Sequence, residues 1–593
     1  MVPDIPAVHR RFDYTVPEAL DGQVRVGSRV RIELQNRRVG AWVVEDGVTP
    51  PEGVVPKPIA LSSGDGPPPA VVALAEWAAW RWAGPQSSFL GTASPERVVR
   101  ATPSGGGDRR PAGIRAPVAS PGGGSVGMVA EAVARPGRPT VVRLAPALDA
   151  SLVALELVAV LGPAGLLLLA PSHARAAQLA ERLRRAGAPV ALLPDGWCDA
   201  AAGDRVVVGT RAAAWAPLRA LRGALIFDAH DEAYREERSP TWSAVDVVAE
   251  RARRDGAPLA LVTPCPTVAL LEDSRVVATP RTVERRGWPV VEVVDRTGDD
   301  PRTGLFSERL AGLLRSVLDR PGGRAVCILH RRGRARLLAC ADCGALARCT
   351  RCGSSLVQSE SGGELTCRRC GLTRPPMCAQ CDSRRLKLLR MGVSRATEEL
   401  SALVGVTAVE VSGGAPEEWD GASLDGRERL VVGTEAALHR VVRADAVAFL
   451  DFDQHLLAPR FGAGEEALAL LARAARLVGG RDGGGRVLVQ TRVPDHEALR
   501  AAVHGDPTLL SGPEHRLRTM LGLPPFCALA LLRGGAAAAY ADGLRVVDGL
   551  TVSMPADDRW LVRADDHRRL CDALASVERP AGRLRVEVDP TDV

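Results

Sequence analysis

The sequence contains almost no lysine. Of its 76 lysine and arginine residues, only Lys57 and Lys387 are lysines. A phosphate-binding P-loop needs a lysine that reaches the β- and γ-phosphate oxygens from a glycine-rich turn. Lys57 precedes Pro58 and Lys387 precedes Leu388, and neither lies in such a turn. The lack of lysine therefore excludes an ATPase site of this type, whereas the excess of arginine fits a GC-rich genome as well as phosphate contact.

The sequence also lacks a long uninterrupted apolar run and a secretory signal. Its most apolar stretch, 152–171, contains Glu156 and is cut by Gly162 and Pro163. This pattern predicts a helix, a turn and a short buried strand rather than a membrane span. The amino end has neither a basic flank nor an apolar core of the signal-peptide type. We therefore expect a cytoplasmic protein with no membrane partner.

Cysteine is concentrated in one stretch, which holds eight of the thirteen cysteines in four CxxC pairs. The pairs are Cys340/Cys343, Cys349/Cys352, Cys367/Cys370 and Cys378/Cys381. Two intervening residues suit a tight turn that points two thiolates at one ion, and Zn²⁺ takes four such ligands. The stretch therefore predicts two closed structural zinc sites. Redox dithiols, an iron–sulfur cluster and disulfides are the alternatives, and the spacing leaves open which pairs share an ion.

The loops around these pairs are rich in arginine and poor in apolar residues. Metal binding should therefore supply most of their folding free energy. Arg331 and Arg332 begin a basic run at the root of the stretch, which Arg368 and Arg369 continue. Basic loops that a metal holds rigid suit contact with a phosphate backbone, and a solvated charged surface is the alternative.

The rest of the chain divides into regions of different periodicity. A length of 593 residues with 46% hydrophobic content predicts three to five globular domains. Residues 1–100 favour a small β-rich domain. In 138–283, and again in 306–335 and 386–490, apolar strands alternate with helical patterns, which is typical of a parallel sheet covered on both faces. The cysteine stretch is therefore an insertion into the second of these regions, and 505–593 mixes strands with helices.

Seven short segments carry a family resemblance. They are Arg11–Pro17, Val207–Arg211, His330–Ala335, Val431–Glu435, Val489–Thr491, Leu521–Phe526 and Val588–Pro590. In this order, and together with the cysteine spacing, they resemble the PriA family of bacterial replication-restart proteins, which is built on a two-lobed superfamily 2 helicase. The resemblance covers nearly the whole chain, and the cysteine spacing is its most specific part.

The resemblance implies a multidomain α/β fold. A β-rich 3′-end DNA-binding domain and a Gly/Pro-rich linker would precede two RecA-like helicase lobes with parallel sheets, a zinc ribbon inserted in the second lobe, and an α+β carboxyl-terminal domain. The expected boundaries are 1–102 for the DNA-binding domain, 103–137 for the linker and 138–283 for the first lobe. The second lobe would span 284–335 and 386–500, with the two-zinc cysteine module at 336–385, and the carboxyl-terminal domain would span 505–593. The linker leaves little room for the winged helix of the family, which we expect to be missing or vestigial.

The resemblance also implies roles for individual residues. Phe12 would stack on the terminal base and Asp13 would accept a hydrogen bond from the 3′-hydroxyl, with Lys57 nearby. The alternative is that Phe12 is a core residue and Asp13 caps a turn. For the metal, the resemblance implies a nested arrangement of the pairs, in which Cys340/Cys343 join Cys378/Cys381 and Cys349/Cys352 join Cys367/Cys370.

The nucleotide-handling motifs of the family are replaced in this chain. Residues 142–149, at the position of the phosphate loop, read VRLAPALD, in which Pro146 removes an N–H donor and no glycine lets the backbone approach a phosphate. The DEEH motif of the family falls on 227–230 when the histidines are aligned. Shifting this alignment by one residue restores Asp228 as the metal-binding carboxylate but loses the glutamate that follows it. A metal site made of Asp228, His230 and Asp231 is an alternative.

The two later motifs of the family are changed as well. QMxAKG is replaced by EAALHR at 435–440, and the last arginine-bearing motif is RLVGGR at 476–481. In that segment Arg481 is either a substitute arginine finger or a surface residue. Phosphoryl transfer depends on such loop groups being precisely placed, whereas the fold does not.

We therefore predict a replication-restart protein that recognises stalled or branched forks through the nascent 3′ end. It would promote primosome assembly and loading of the replicative helicase without helicase activity of its own. By resemblance, its partners are forked and single-stranded DNA, primosome proteins, the replicative helicase with its loader, and single-stranded DNA-binding protein. The alternatives are an active ATP-dependent 3′ to 5′ DNA helicase and a zinc-ribbon nucleic-acid-binding protein of transcription or RNA metabolism.

Overall fold

The computed structural model describes most of the chain. The described residues are 1–5, 8, 10–50, 52–53, 55–99, 136–299, 305–329, 338–358, 363–388, 393–411, 428–556 and 558–591. Nearly all of the expected linker 103–137, where a winged helix would lie, is outside the described residues, and so are Arg331 and Arg332.

The amino-terminal unit is built on a four-stranded antiparallel sheet. From edge to edge its strands are Val2–Pro3, Arg37–Trp42, Arg29–Leu34 and Leu61–Gly64. The strand Arg29–Leu34 alternates as a half-buried strand does, since Val30 and Ile32 are buried whereas Arg31 and Glu33 are exposed. The remaining elements of the unit are the parallel pair Tyr14–Thr15 with Lys57–Pro58, the 3₁₀ turn Glu18–Leu20, and the helices Pro69–Arg81 and Gln86–Ala93.

The first lobe is a seven-stranded parallel sheet. In spatial order its strands are Arg275–Ala278, Thr140–Arg143, Leu259–Thr263, Gly223–Phe227, Leu166–Leu169, Val206–Gly209 and Val190–Leu192. Leu166 and Leu168 pack into one apolar core while Leu167 and Leu169 pack into another, so both faces of the sheet are covered. The helices are Ser151–Leu161, His173–Arg185, Trp197–Ala202, Ala244–Asp255, Val268–Glu272 and Arg281–Arg286, with 3₁₀ turns at Arg211–Trp215 and Glu232–Tyr234 and a small hairpin of Arg235–Glu236 with Trp242–Ser243.

The second lobe is a six-stranded parallel sheet with the same two-sided burial. Its strands in spatial order are Val290–Asp295, Arg486–Thr491, Ala446–Phe449, Ala325–Ile328, Leu430–Gly433 and Ala408–Val411. Its helices are Glu308–Leu318, Val393–Val404, Ala437–Arg440, Asp453–Leu456, Ala463–Val478 and Glu497–His504, with a 3₁₀ turn at Arg481–Gly483.

The cysteine module is inserted between the strand Ala325–Ile328 and the helix Val393–Val404, as predicted. The antiparallel pair Leu338–Cys340 and Leu386–Leu388 closes its base. Three short antiparallel strands form the rest of its framework: Val357–Gln358, Leu365–Thr366 and Thr373–Arg374.

The carboxyl-terminal unit begins with the helix Thr508–Leu521 and continues as a four-stranded antiparallel sheet. The strands in spatial order are Thr551–Ala556, Arg559–Ala564, Ala528–Arg533 and Arg585–Val588, and the helices Ala537–Arg545 and His567–Ser576 pack with them. The predicted fold class is therefore confirmed: a β-rich amino-terminal unit, two parallel-sheet lobes, an inserted cysteine module and an α+β end. Within the described residues, no helix is both long and apolar enough to cross a membrane.

Asp589 joins the carboxyl-terminal unit to two other units. Its carboxylate accepts hydrogen bonds from Arg81 of the amino-terminal helix (2.6 Å) and from His567 (2.6 Å), while Arg235 of the first lobe donates to its backbone carbonyl. Burial alone would raise the pKa of Asp589, but the Arg81 charge and the hydrogen bond from His567 hold the pKa well below its usual range. The Arg81 side chain is only 9% exposed, so this carboxylate neutralises a nearly buried cation.

We expect Asp589→Asn to destabilise the protein by about 3 kcal/mol, because the substitution leaves the nearly buried Arg81 charge with only the more distant carboxylate of Asp246, at 3.9 Å. The measurement is urea unfolding followed by tryptophan fluorescence, since Trp80 and Trp82 lie at this contact. Asp565→Asn is the matched control: its carboxylate is 86% exposed and pairs with Arg569 at 3.3 Å, so little should change. Equal effects of the two substitutions would contradict the role of Asp589.

Candidate functional site

The eight paired cysteines form two separate clusters. In each cluster the four Sγ atoms lie within 4.8 Å of one another. The outer cluster consists of Cys340, Cys343, Cys378 and Cys381, and the inner cluster of Cys349, Cys352, Cys367 and Cys370. This is the nested arrangement that the resemblance implied.

A common turn presents each cysteine pair. The residue after the second cysteine has a positive φ in every case: Gly344 (75°), Gly353 (73°), Gly371 (73°) and Asp382 (57°). Glycine and, less readily, aspartate tolerate this left-handed conformation, and it lets the backbone N–H bond back to the carbonyl of the first cysteine, as Gly371 does with Cys367 at 2.9 Å. The CxxCG pattern therefore folds locally into a knuckle that points both thiols to one side.

The clusters fit a tetrahedral metal ion. Four ligands at the usual metal–sulfur distance of about 2.3 Å lie about 3.8 Å apart. The facing sulfur atoms are 3.5 Å apart in Cys340–Cys381 and Cys343–Cys378, 3.5 Å in Cys349–Cys370 and 3.4 Å in Cys352–Cys367. With four thiols around each centre the coordination is complete, so the clusters suit structural ions rather than catalytic ones.

Arg369 does not belong to the exposed basic surface that the sequence suggested. It lies in the knuckle Cys367–Cys370, its side chain is only 9% exposed, and it pairs with Glu514 at 2.6 Å. Glu514 also pairs with Arg518 (2.9 Å), which in turn pairs with Glu465 of the second lobe (2.6 Å). Arg369 therefore anchors the inner cluster to the helix Thr508–Leu521 through buried charges.

The predicted 3′-end residues lie together in the amino-terminal unit. Phe12 and Asp13 are half-buried. The backbone N–H of Phe12 donates to the carbonyl of Met1 (3.0 Å), and the amino group of Met1 donates to the carbonyl of Phe12 (2.7 Å). The next residue, Tyr14, is directly opposite Lys57 in the short parallel pair. The Lys57 ammonium forms an exposed ion pair with Glu33 at 2.9 Å, a contact that contributes little to stability and that a phosphate could replace.

The loop between the strand Thr140–Arg143 and the helix Ser151–Leu161 stands where a phosphate loop would stand. Leu144, Ala145 and Pro146 are buried in it. Its backbone N–H groups bond to protein carbonyls instead of facing a ligand: Leu144 to Thr263 (3.1 Å), Ala147 to Gly287 (3.1 Å) and Leu148 to Ala145 (3.0 Å). The first half of this loop is thus packed as core, whereas Ala147 and Asp149 are exposed.

Across the cleft, Asp228 forms a forked ion pair with Arg476. Asp228 follows the strand Gly223–Phe227 with a φ of 50°, and Arg476 lies on the helix Ala463–Val478 of the second lobe. The two guanidinium nitrogens donate to the two carboxylate oxygens at 2.6 and 2.7 Å, and Arg476 Nε donates to the carbonyl of Pro146 at 3.4 Å. Burial alone would raise the pKa of Asp228, but the facing Arg476 holds the pKa well below its usual range.

A second ion pair lies one helical turn away. Arg473, three residues before Arg476, donates to the carboxylate of Asp231 and also contacts His439 Nε2 at 2.6 Å. Because arginine can only donate, His439 must accept through Nε2 and is therefore neutral. Removal of water from the ring and the charge of Arg473 lower the pKa of His439 to about 4.

Sequence reasoning missed Arg473 and did not assign a partner to Arg476. The only signal of this contact in the sequence is that Asp228 and Asp231 have the same spacing as Arg473 and Arg476. The alternative metal site at Asp228, His230 and Asp231 is not supported, because both carboxylates bind arginines and His230 bonds to Thr263 (2.8 Å). Among the described residues, only the two cysteine clusters bring three or more metal-ligating groups together.

Comparison with known proteins finds similarity to PriA proteins. A family model described as the PriA 3′ DNA-binding domain (3′BD) matches residues 2–95. The "Probable replication restart protein PriA" of Mycobacterium tuberculosis (strain H37Rv) is 29% identical over 602 residues, which cover 92% of this chain and 88% of that protein. Over most of its length the chain is thus similar to a PriA protein. The replication restart protein PriA of Bacillus subtilis (strain 168) is 28% identical over 347 residues, which cover 55% of this chain.

The alignments span less than half of some PriA proteins, namely 43% of the Bacillus subtilis protein and 47% of that from Haemophilus influenzae. Solved structures similar to this chain include the helicase MrfA bound to DNA and AMPPNP (12% identical, covering 64% of this chain and 49% of that chain, TM-score 0.35). Another is the Mycobacterium smegmatis helicase Lhr bound to single-stranded DNA and AMP-PNP (13%, 76% and 60%, TM-score 0.36). With TM-scores below 0.5, these likenesses add nothing to the strand orders described above.

We expect the purified protein to carry two tetrahedral metal ions per chain, because each cluster supplies four thiols. Cys367→Ser should reduce the content to one ion and expose the inner knuckles to proteolysis. Metal content is measured by mass spectrometry of the digested protein. Cys198→Ser, which alters a cysteine outside both clusters, is the control and should retain two ions. Retention of both ions in Cys367→Ser would contradict the assignment.

Proposed function

We propose that this chain acts in replication restart: it recognises stalled or branched fork DNA through the nascent 3′ end and promotes primosome assembly and loading of the replicative helicase. The observation that carries the proposal is the match of residues 2–95 to the PriA 3′ DNA-binding domain, in a chain aligned over most of its length with a PriA protein. The proposal places the chain in the cytoplasm, at the nucleoid.

In this proposal the 3′ end binds at the Phe12–Asp13 segment. The Phe12 ring stacks on the terminal base, and the Asp13 carboxylate accepts the hydrogen bond of the 3′-hydroxyl. Lys57, opposite Tyr14, leaves its ion pair with Glu33 and contacts the adjoining phosphate of the DNA instead. Arg331 and Arg332, at the root of the cysteine module, extend the contact to the duplex backbone.

We infer that the ions in the two cysteine clusters are Zn²⁺. Four thiolates in a closed tetrahedral set are the usual ligands of structural zinc, and zinc has no redox chemistry that would endanger nearby DNA. The ions would hold the knuckles in place and supply most of the folding free energy of the module. The proposed macromolecular partners are forked and single-stranded DNA, primosome proteins, the replicative helicase with its loader, and single-stranded DNA-binding protein.

The proposal assigns no helicase activity to the chain. Hydrolysis of a triphosphate needs donors around the phosphates, a Mg²⁺-binding carboxylate and a free arginine from the opposite lobe. Here the loop donors bond to protein carbonyls, and Asp228 and Arg476 bind each other. The role that remains is recognition and recruitment.

The first test measures fork binding. Forks with a free 3′-hydroxyl at the junction should bind about tenfold more tightly than forks that end in a 3′-phosphate, because the phosphate repels Asp13 and cannot donate to it. Phe12→Ala should weaken binding to the free-hydroxyl fork by a similar factor, whereas Asp46→Asn, at an exposed acid of the same unit, should not. Equal affinity for both forks and for linear duplex would contradict the proposal.

The second test measures ATP hydrolysis on the same metal-loaded preparation. Phosphate release with Mg²⁺, ATP and saturating fork DNA should not exceed that of the DNA alone. A fluorescent ATP analogue should show no saturable binding. DNA-stimulated turnover of about one per second, at the low end for phosphoryl transfer, would instead indicate an active helicase.

A further inference from the structure

The contacts between the lobes fall at the positions where a motor would hold its nucleotide. Asp228 and Asp231 lie at the carboxyl end of the strand Gly223–Phe227, which is the edge of a parallel sheet that carries binding groups. Arg473 and Arg476 face them from one side of the helix Ala463–Val478. Two cations one helical turn apart thus meet two carboxylates that have the same spacing.

These ion pairs are shielded from water. The Asp228 and Asp231 side chains are 12% and 10% exposed, and those of Arg476 and Arg473 are 26% and 22% exposed. Separating the lobes would expose all four charges to water or leave them without partners. Removing one member of such an ion pair costs free energy of folding, because the remaining charge is left without a partner.

Apolar and backbone contacts reinforce the same closed arrangement. Ala145 and Cys265 of the first lobe are buried in the apolar core of the second lobe. Glu465 of the second lobe accepts a hydrogen bond from the backbone N–H of Val268, at the start of a first-lobe helix, at 2.6 Å. Gly480 lies so close to the carbonyl of Arg286 that a β-carbon there would clash. The lobes therefore meet at several separate points.

We propose that the Asp228–Arg476 and Asp231–Arg473 pairs replace the nucleotide as the clamp that holds the lobes closed. Arg473 and Arg476 are then positioning residues that fix the geometry of the two lobes permanently. In a motor, closure follows nucleotide binding and opening follows release. In this chain the closed form is the ground state, and it does not respond to nucleotide. The inference concerns the lobes themselves and is independent of which DNA the chain binds.

Charge reversal tests the clamp in the full-length, metal-loaded chain. Asp228→Arg should place two guanidinium groups face to face and open the cleft. Backbone hydrogen exchange in 144–150, 228–231 and 463–478 should then rise at least about tenfold. The double variant Asp228→Arg/Arg476→Asp should recover most of the protection, which a merely misfolded protein would not. Arg395→Glu breaks an exposed pair with Glu399 inside the second lobe and is the control, with no change in these peptides.

Nucleotide addition gives the second readout. The unmodified chain should show the same exchange and the same small-angle scattering with and without Mg²⁺ and ATP or AMP-PNP. Added protection or compaction with nucleotide would overturn the proposal, and so would unchanged exchange in Asp228→Arg or failure of the double variant to recover. Two bound metal ions in each variant would show that the rest of the fold is intact. Loss of fork binding with intact closure would count against the proposed function but not against the clamp.

Discussion

Charges that are buried between two domains must be neutralised, and this requirement governs the centre of the molecule. The strand Gly223–Phe227 places Asp228 at the edge of the first sheet, and the helix Ala463–Val478 places Arg476 opposite to it. A hydrolytic site would use Mg²⁺ and phosphate to balance such groups. Here the two groups balance each other without a bound ligand. The packing of each lobe is unaffected, because the buried strands do not depend on what the loops at their ends bind.

A similar requirement explains how the peripheral units are attached. The carboxyl-terminal unit meets the amino-terminal helix and the first lobe through Asp589. The helix Thr508–Leu521 meets the inner cysteine cluster and the second lobe through Glu514 and Arg518. In both places a nearly buried arginine fixes the relative position of two units. Since arginine keeps its charge and binds carboxylates with a planar fork, it suits such joints better than lysine does.

Much of the fold could be predicted from the sequence, because the relevant patterns are local. Runs such as Leu166–Leu169 indicate strands buried on both faces, and CxxC followed by glycine indicates a knuckle. The residue set of each cysteine cluster needed the family resemblance, since spacing does not say which knuckles meet. The partners of Arg369 and Arg476 could not be predicted from the sequence. The acids that bind them lie 145 and 248 residues away, and no periodicity connects them. The predicted boundaries of the domains and the roles of Phe12, Asp13 and Lys57 stay predictions.

The near absence of lysine also limits how this protein can be modified. The ε-amino groups of the whole chain are those of Lys57, paired with Glu33, and Lys387, which sits opposite Ala339 at the base of the cysteine module. Acetylation, a common way to weaken a polyanion-binding surface, removes charge only from lysine. With arginine as almost the sole cation, acetylation can remove charge from at most these two side chains. Any regulation of this kind would have to act at Lys57 or Lys387.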